Sequence, residues 1–362
     1  MASSAVTNGQ ESPAATEPNS NPSLPEDLVI SCLACVSRLH YPSLSLVSKT
    51  FRSLLASPVL YQTRSLLNHI ESCLYVCLQY PSDPIPRWFT LCNRNLSSKK
   101  KKKKKSYHAL APISFTNAAP LEWSDLVAVD HRLYAICEAA TSSYVSFLDC
   151  TSHTWLQAPS LRLAHTGRIF DEKMYLPGSC EKLESLNCVE MFDIKTQTWK
   201  PIPPEKRKFK PGDMEGKIVL KTNSGRKGFS LKPKEMTSEW TGVERDSVCL
   251  IEDIFYSYTS SGDFQWSYCK EAYEQRKLEG LEGLPEFPPY SSVTLVDYGG
   301  KMVVFWDKYL PSSWFREKMI WCAVISFEKR GSDVIWGNVE WFDAVLKVPK
   351  SYKFMSAIAA TV

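Results

Sequence analysis

Asp149-Cys150-Thr151-Ser152-His153-Thr154-Trp155 and Asp193-Ile194-Lys195-Thr196-Gln197-Thr198-Trp199 share the spacing Asp-x5-Trp, and the two tryptophans stand 44 positions apart. Trp240 follows 41 positions later. A period of about 40 to 50 residues is that of a propeller blade, a four-stranded unit that cannot bury both its faces without a neighbour on each side. The chemistry of the signature suits a hairpin. An Asp followed by Thr or Ser accepts hydrogen bonds from its own turn and tightens it, and the Trp then supplies bulk between blades. Upstream of each signature, Arg132–Ile136 and Glu172–Leu176 alternate as an inner strand does. The clearest repeats therefore span 119–164 and 165–208, with Asp149, Trp155, Asp193 and Trp199 as their structural marks.

Working outward, Ile254–Tyr258 with Gln265 and Trp266 reads as a further, weaker blade, and Val293–Asp297, Lys301–Trp306 and Ile320–Phe327 as the last. Ahead of the first clear repeat, Leu74–Tyr80 and Arg87–Leu91 also alternate. They are expected to pair with the C-terminal Lys353–Ala359 and complete one blade, because a closed ring leaves no exposed strand edge to nucleate aggregation. The expectation is an all-β propeller over 72–362 with six degenerate blades.

The N-terminal part has a different period. Leu24-Pro25-Glu26-Asp27-Leu28 places Pro at a helix start and two acids in the first turn, where they meet the positive end of the helix dipole. Val29, Cys32, Leu33 and Val36 then recur at helical spacing, so a first helix is expected to end near Val36. After Pro42 a second helix is expected, with Leu44, Val47, Phe51, Leu54 and Leu55 on one face. A module of this size, near residues 22–66, buries too little apolar surface to stand alone and needs another surface. Residues 1–21, rich in Ser, Ala, Pro and Asn, read as a disordered tail.

The 362 residues carry a formal charge of +4, but Lys99–Lys105 alone supplies seven positive charges and the rest of the chain is net acidic. Nucleic-acid binding is not expected on that footprint, which lacks basic residues spread along a face. The run is expected in a loop, 97–106, inside the closing blade. It reads as a solvated loop, a nuclear-import signal or a contact with an acidic partner. No secretory signal and no apolar run long enough to span a membrane occur, so the twelve cysteines are expected as reduced thiols in the cytoplasm or nucleus. Cys32 and Cys35 form a lone CxxC pair without a second ligand pair, and His40, His69, His108, His131, His153 and His165 have no ligand spacing, so no metal or other cofactor is expected. There is no Gly-rich phosphate loop and no GxSxG, and no catalytic residue can be named.

With these residues in view, Leu24–Leu28 followed by Leu44–Leu60 resembles the F-box, which pairs a leading Leu-Pro-x-x-Leu with a later Leu-x-x-Val-x-Lys-x-Phe. The resemblance implies that Leu24, Pro25, Leu28, Leu33, Leu44, Val47, Lys49, Phe51 and Leu55 contact a Skp-type adaptor and, through it, a cullin. Ser37–Pro42 departs from the Leu-Pro pair that many F-boxes carry between their helices. The blades are similar to kelch repeats, although the Gly-Gly pair is reduced to one glycine in Leu176-Pro177-Gly178-Ser179 and absent after Ile136. Together the two parts look like the plant F-box/kelch-repeat family. That resemblance implies a non-catalytic substrate receptor of an SCF (Skp-cullin-F-box) ubiquitin ligase, whose propeller holds a target protein for ubiquitination and proteasomal degradation. The alternatives are a helical cap that packs only on the propeller, an interaction scaffold that never joins a ligase, and a kelch-type oxidase. Candidate target loops are Gly178–Asn187, Pro204–Asp213 and Asn223–Gly228.

Overall fold

The computed structural model describes residues 24–95, 106–158, 168–177, 189–202 and 245–362, apart from short gaps within those spans. The N-terminal segments are α1 (Glu26–Ala34), a 3-10 turn over Arg38–His40, α2 (Tyr41–Leu44), α3 (Lys49–Leu55) and α4 (Pro58–Leu66). Twenty strands follow among the described residues. They are β1 (Ser72–Gln79), β2 (Arg87–Asn95) and β3 (Ser106–Pro112), then β4 (Asp125–Val129), β5 (Arg132–Glu138), β6 (Ser143–Asp149) and β7 (Thr154–Gln157). β8 (Arg168–Phe170), β9 (Lys173–Pro177), β10 (Val189–Asp193) and β11 (Thr198–Ile202) come next, then β12 (Arg245–Ile251), β13 (Ile254–Thr259), β14 (Phe264–Tyr268) and β15 (Arg276–Lys277). The last are β16 (Thr294–Tyr298), β17 (Lys301–Tyr309), β18 (Glu317–Lys329), β19 (Ile335–Pro349) and β20 (Lys353–Thr361).

These strands form a β-propeller. Among the described residues there are five four-stranded antiparallel sheets, the first ordered β20-β1-β2-β3 and the others in chain order. The sixth unit expected around Trp240 falls in 203–244, outside the described residues, as do the tail 1–21, Lys99–Lys105 and the three candidate target loops. Closure runs through β1, which pairs with β20 from Ser72 opposite Thr361 to Gln79 opposite Lys353. The two ends of the ring are thus fastened by main-chain bonds, and no strand edge is left open there.

The two repeat signatures have one register. Asp149 stands opposite Thr154 and Leu148 opposite Trp155, just as Asp193 stands opposite Thr198 and Phe192 opposite Trp199. In the first, Asp149 Oδ1 accepts from the Thr151 N–H at 2.8 Å, the Thr151 hydroxyl at 2.6 Å and the Ser152 N–H at 3.4 Å. Burial raises the affinity of this carboxyl for a proton, but those hydrogen bonds outweigh it and hold the group below its ordinary range. Trp155 is buried and meets the ring of Trp88 edge-on at 5.8 Å, so it fills the space between the first two blades.

Why β1 is apolar on both sides follows from the pleat. Leu74, Val76 and Leu78 face the last blade, against Val303, Phe305 and Ile320, while Cys73, Tyr75 and Cys77 face the second, against Leu133, Leu148 and Trp155. The core therefore lies between blades and not in one central mass. A polar bolt joins the first and last blades at their outer strands. His108, on β3, places Nδ1 2.8 Å from Asp343 Oδ2 on β19, and its ring stacks on Trp341 with centroids 3.6 Å apart.

Candidate functional site

The helical module departs from the expected pair of helices. The helix expected to run from Leu44 to Leu55 is interrupted at Ser45–Ser48, where the Ser48 hydroxyl accepts from the Phe51 N–H at 3.0 Å and starts α3 afresh. α1 stops at Ala34, two residues before the expected end. A further helix, α4, begins with Ser57 as its cap and Pro58 in its first turn, a start signal legible in the sequence but not used in the expectation.

This arrangement sorts the nine expected adaptor residues into three groups. Leu33 and Leu55 lie buried with Ile30, Ala34, Tyr41, Leu54 and Leu60 in the module's own core and hold the helices together. Leu44 and Phe51 are half-buried against that core. Leu24, Pro25, Leu28, Val47 and Lys49 are exposed, with Leu24 at 60%, Leu28 at 53% and Val47 at 65%. Leu46 and Val59, which the sequence reading did not select, are also exposed. These five exposed aliphatic side chains on so small a module are more than its own core explains.

The unusual turn Ser37–Pro42 has a specific task. Glu71 sits just before β1, and its Oε1 accepts from Arg64 Nη2 at 2.8 Å and from the Arg38 backbone N–H, while its Oε2 accepts from the Ser37 hydroxyl at 2.9 Å. Arg64 Nη1 donates to the carbonyls of Ala34 at 3.1 Å and Val36 at 2.8 Å and to the Tyr41 hydroxyl at 3.1 Å. One buried guanidinium thus caps the end of α1, fixes the turn and pairs with the segment entering the propeller.

Arg38 carries the clamp further. Its Nη2 donates at 3.0 Å to the carbonyl of Cys150, in the turn between β6 and β7, and the Tyr75 hydroxyl donates to the same carbonyl at 3.2 Å. The Tyr75 oxygen also lies 3.3 Å from His153 Nε2. Burial, reinforced by the Arg38 charge, pulls the His153 imidazole down to about 4, so it is neutral at pH 7. His153 is a turn residue with φ of 53°, packed edge-on against the Tyr75 ring. Beside the clamp, between helices and propeller, is a cavity of about 430 Å³ lined by Arg38, Tyr61, Arg94, His153 and Tyr298. The one signal that would have found Arg64 is its place four residues after Leu60, on the buried face of α4.

A helical module with uncovered aliphatic side chains, held by Arg38 and the buried Arg64 against a β-propeller, is the two-part architecture of a substrate adaptor. The F-box domain family matches residues 22–63, and the family described as "FKB95, Kelch-repeats domain" matches residues 88–346. The chain belongs to the F-box/kelch-repeat proteins. One such protein of Arabidopsis thaliana is 57% identical over 357 residues, covering 95% of this chain and 97% of its own. A second from the same plant is 54% identical, covering 94% and 96%, and a third is 51% identical, covering 94% and 92%.

Proposed function

We propose that this protein is the substrate-recognition subunit of an SCF-type ubiquitin ligase, its helical module docking on a Skp-type adaptor and its propeller presenting a target for ubiquitination. The observation that supports the reading most is the exposure of Leu24, Leu28 and Val47 on a module whose own core is already filled by Leu33, Leu54, Leu55 and Leu60. Side chains that stay uncovered when the core is complete are available to a partner, and truncating such an anchor costs about 2 kcal/mol or more at a well-packed interface.

On this reading the protein does no chemistry itself. It raises the concentration of target lysines near a ubiquitin-charged enzyme held elsewhere on the cullin, a gain set by tethering and geometry. The clamp through Arg38, Arg64 and Glu71 contributes by fixing the direction in which the propeller points. We place its work in the cytosol, the nucleus or both, in keeping with the buried thiols of Cys73, Cys77, Cys92, Cys150, Cys249 and Cys322.

The test is co-purification with the Skp-type adaptor. Leu24→Ala/Leu28→Ala/Val47→Ala should lose the adaptor while keeping the wild-type melting temperature, whereas Leu33→Ala should lower stability. Recovery of adaptor equal to wild type in the triple variant would sink the reading. Ubiquitin chains on proteins captured with the wild type, absent with the triple variant, test the ligase role itself.

A further inference from the structure

The β16–β17 turn lies on the helical module's side of the ring, since Tyr298 lines the cavity beneath the helices and a side chain at Gly299 would meet Ser72. From there β17 runs nine residues, about 26 Å, to the opposite side. The Leu310–Arg316 loop at its far end holds Trp314, 88% exposed, and Phe315, 58% exposed. Both have left-handed backbone, with φ of 53° and 58°.

Two successive aromatic residues in that region are strained, and such strain persists only where surrounding bonds dictate it. They do so here. The Leu310 N–H donates to the Glu317 carbonyl at 2.9 Å, the Ser313 hydroxyl donates to the Leu310 carbonyl at 2.8 Å, and the Glu317 N–H donates back to that hydroxyl at 3.1 Å. Phe315 continues into an aromatic row, with Tyr309 at 6.1 Å and Tyr290 a further 4.9 Å on, the latter 53% exposed. The row is stiffened from below by Lys318, which pairs with buried Asp307 at 2.9 Å and lies 4.8 Å from the centre of the Tyr309 ring.

The carboxylates of the frame are taken, Asp307 by Lys318 and Glu317 by Lys347. Arg316 and Lys350 are exposed, adjoin through the Lys350 N–H and the Arg316 carbonyl at 2.9 Å, and form no ion pair with a described residue. An apolar aromatic platform beside unneutralised cations fits an apolar side chain flanked by carboxylates, and rigid aromatics with arginine are the residues that dominate binding energy at interfaces.

We propose that the Trp314–Phe315 loop, with Tyr309, Tyr290, Arg316 and Lys350, is the target-docking site of the propeller and that it takes an acidic segment of the target protein bearing an exposed apolar side chain. This rests on the reading of the chain as a target receptor and adds the place and the chemistry.

The test uses the full chain, labelled and applied to an array of short peptides in which a central Leu-Phe pair is flanked by Asp/Glu, by Ser/Gln or by Lys/Arg. The acidic set should be retained at least about tenfold more strongly than the other two, with retention falling at high salt. Trp314→Ala/Phe315→Ala should abolish it, and Arg316→Glu/Lys350→Glu should invert the charge preference. Because these side chains are exposed, the variants should keep the wild-type melting temperature and still co-purify with the adaptor. Equal retention of all three sets, or retention unchanged by either variant, overturns the proposal. So does a wild-type dimer, seen by light scattering, that Trp314→Ala/Phe315→Ala converts to monomer, because a second copy would then be the occupant. Loss of adaptor binding by the wild type would instead overturn the ligase reading and leave the peptide result standing.

Discussion

Replacing Arg64 by Ala is expected to be among the most damaging changes in the helical module. Arg64 is 2% exposed, and its removal leaves the carbonyls of Ala34 and Val36 and the Tyr41 hydroxyl without the donor they have in the native protein, and leaves Glu71 Oε1 with the Arg38 backbone N–H alone. Breaking a buried ion pair from one side costs about 3 to 5 kcal/mol, and each unsatisfied buried acceptor about 1 to 3 kcal/mol where water cannot reach it. Glu71 is 28% exposed at its side chain and recovers part of its hydration, so the expected loss is about 3 kcal/mol and not the sum of these figures. Arg64→Lys keeps the charge but loses the fork that reaches four acceptors at once, and should fall between Ala and wild type. All eleven tryptophans lie at or beyond Trp88, so their fluorescence reports the propeller, while ellipticity at 222 nm is weighted to the helices. Urea unfolding of Arg64→Ala should move the ellipticity transition to lower denaturant than the fluorescence transition. A loss under 1 kcal/mol, or two transitions that move together by the same small amount, would refute the view that this arginine organises the module.

Trp155→Ala should cost about 3 to 5 kcal/mol, because the ring fills the seam between the first two blades against Trp88 and Phe115 and the site cannot collapse, a loss readable by thermal melting. Gly280 has φ of 82°, and a Cβ there would come within 2.4 Å of the Gly337 carbonyl oxygen, so Gly280→Ala should destabilise by about 2 kcal/mol or more in the same assay. The pH dependence of folding should carry the mark of His153. With the folded group at about 4, below its ordinary value near 6.5, the unfolded chain binds the proton more tightly, so this contribution is complete above about pH 6.5 and is lost as pH falls towards 4. The loss should reach about 2 to 3 kcal/mol, and His153→Gln should flatten denaturation midpoints between pH 7 and pH 4.5.

The period in the propeller was legible because it is local chemistry repeated. Asp149 bonds its own turn and Trp155 sits in the next strand, so five residues of spacing encode the hairpin and a spacing of 44 encodes the blade. Alternation in Leu74–Tyr80 and Lys353–Ala359 likewise belongs to each strand separately, although their pairing spans almost the whole chain. The helical module was less legible. An apolar stripe states that a face is buried but not against what, and Leu33, Leu55, Leu28 and Val47 have similar side chains while the first two end in the core and the others in solvent. Ser48 could equally stand inside a helix or start one, and only the packing of the segments around Tyr41 decided that it starts one.

By itself, then, the sequence determined a helical module, a ring of degenerate four-stranded units and the join between the ring's two ends, since periodicity and turn chemistry are carried by residues near one another. Only the tertiary structure decided that Arg38 reaches a carbonyl 112 positions away, that Arg64 and Glu71 lock the helices to the first blade, and that Trp314 and Arg316 stand at the far end of β17 from them. Those relations depend on side chains from distant parts of the chain meeting at one place, and no local pattern records such a meeting.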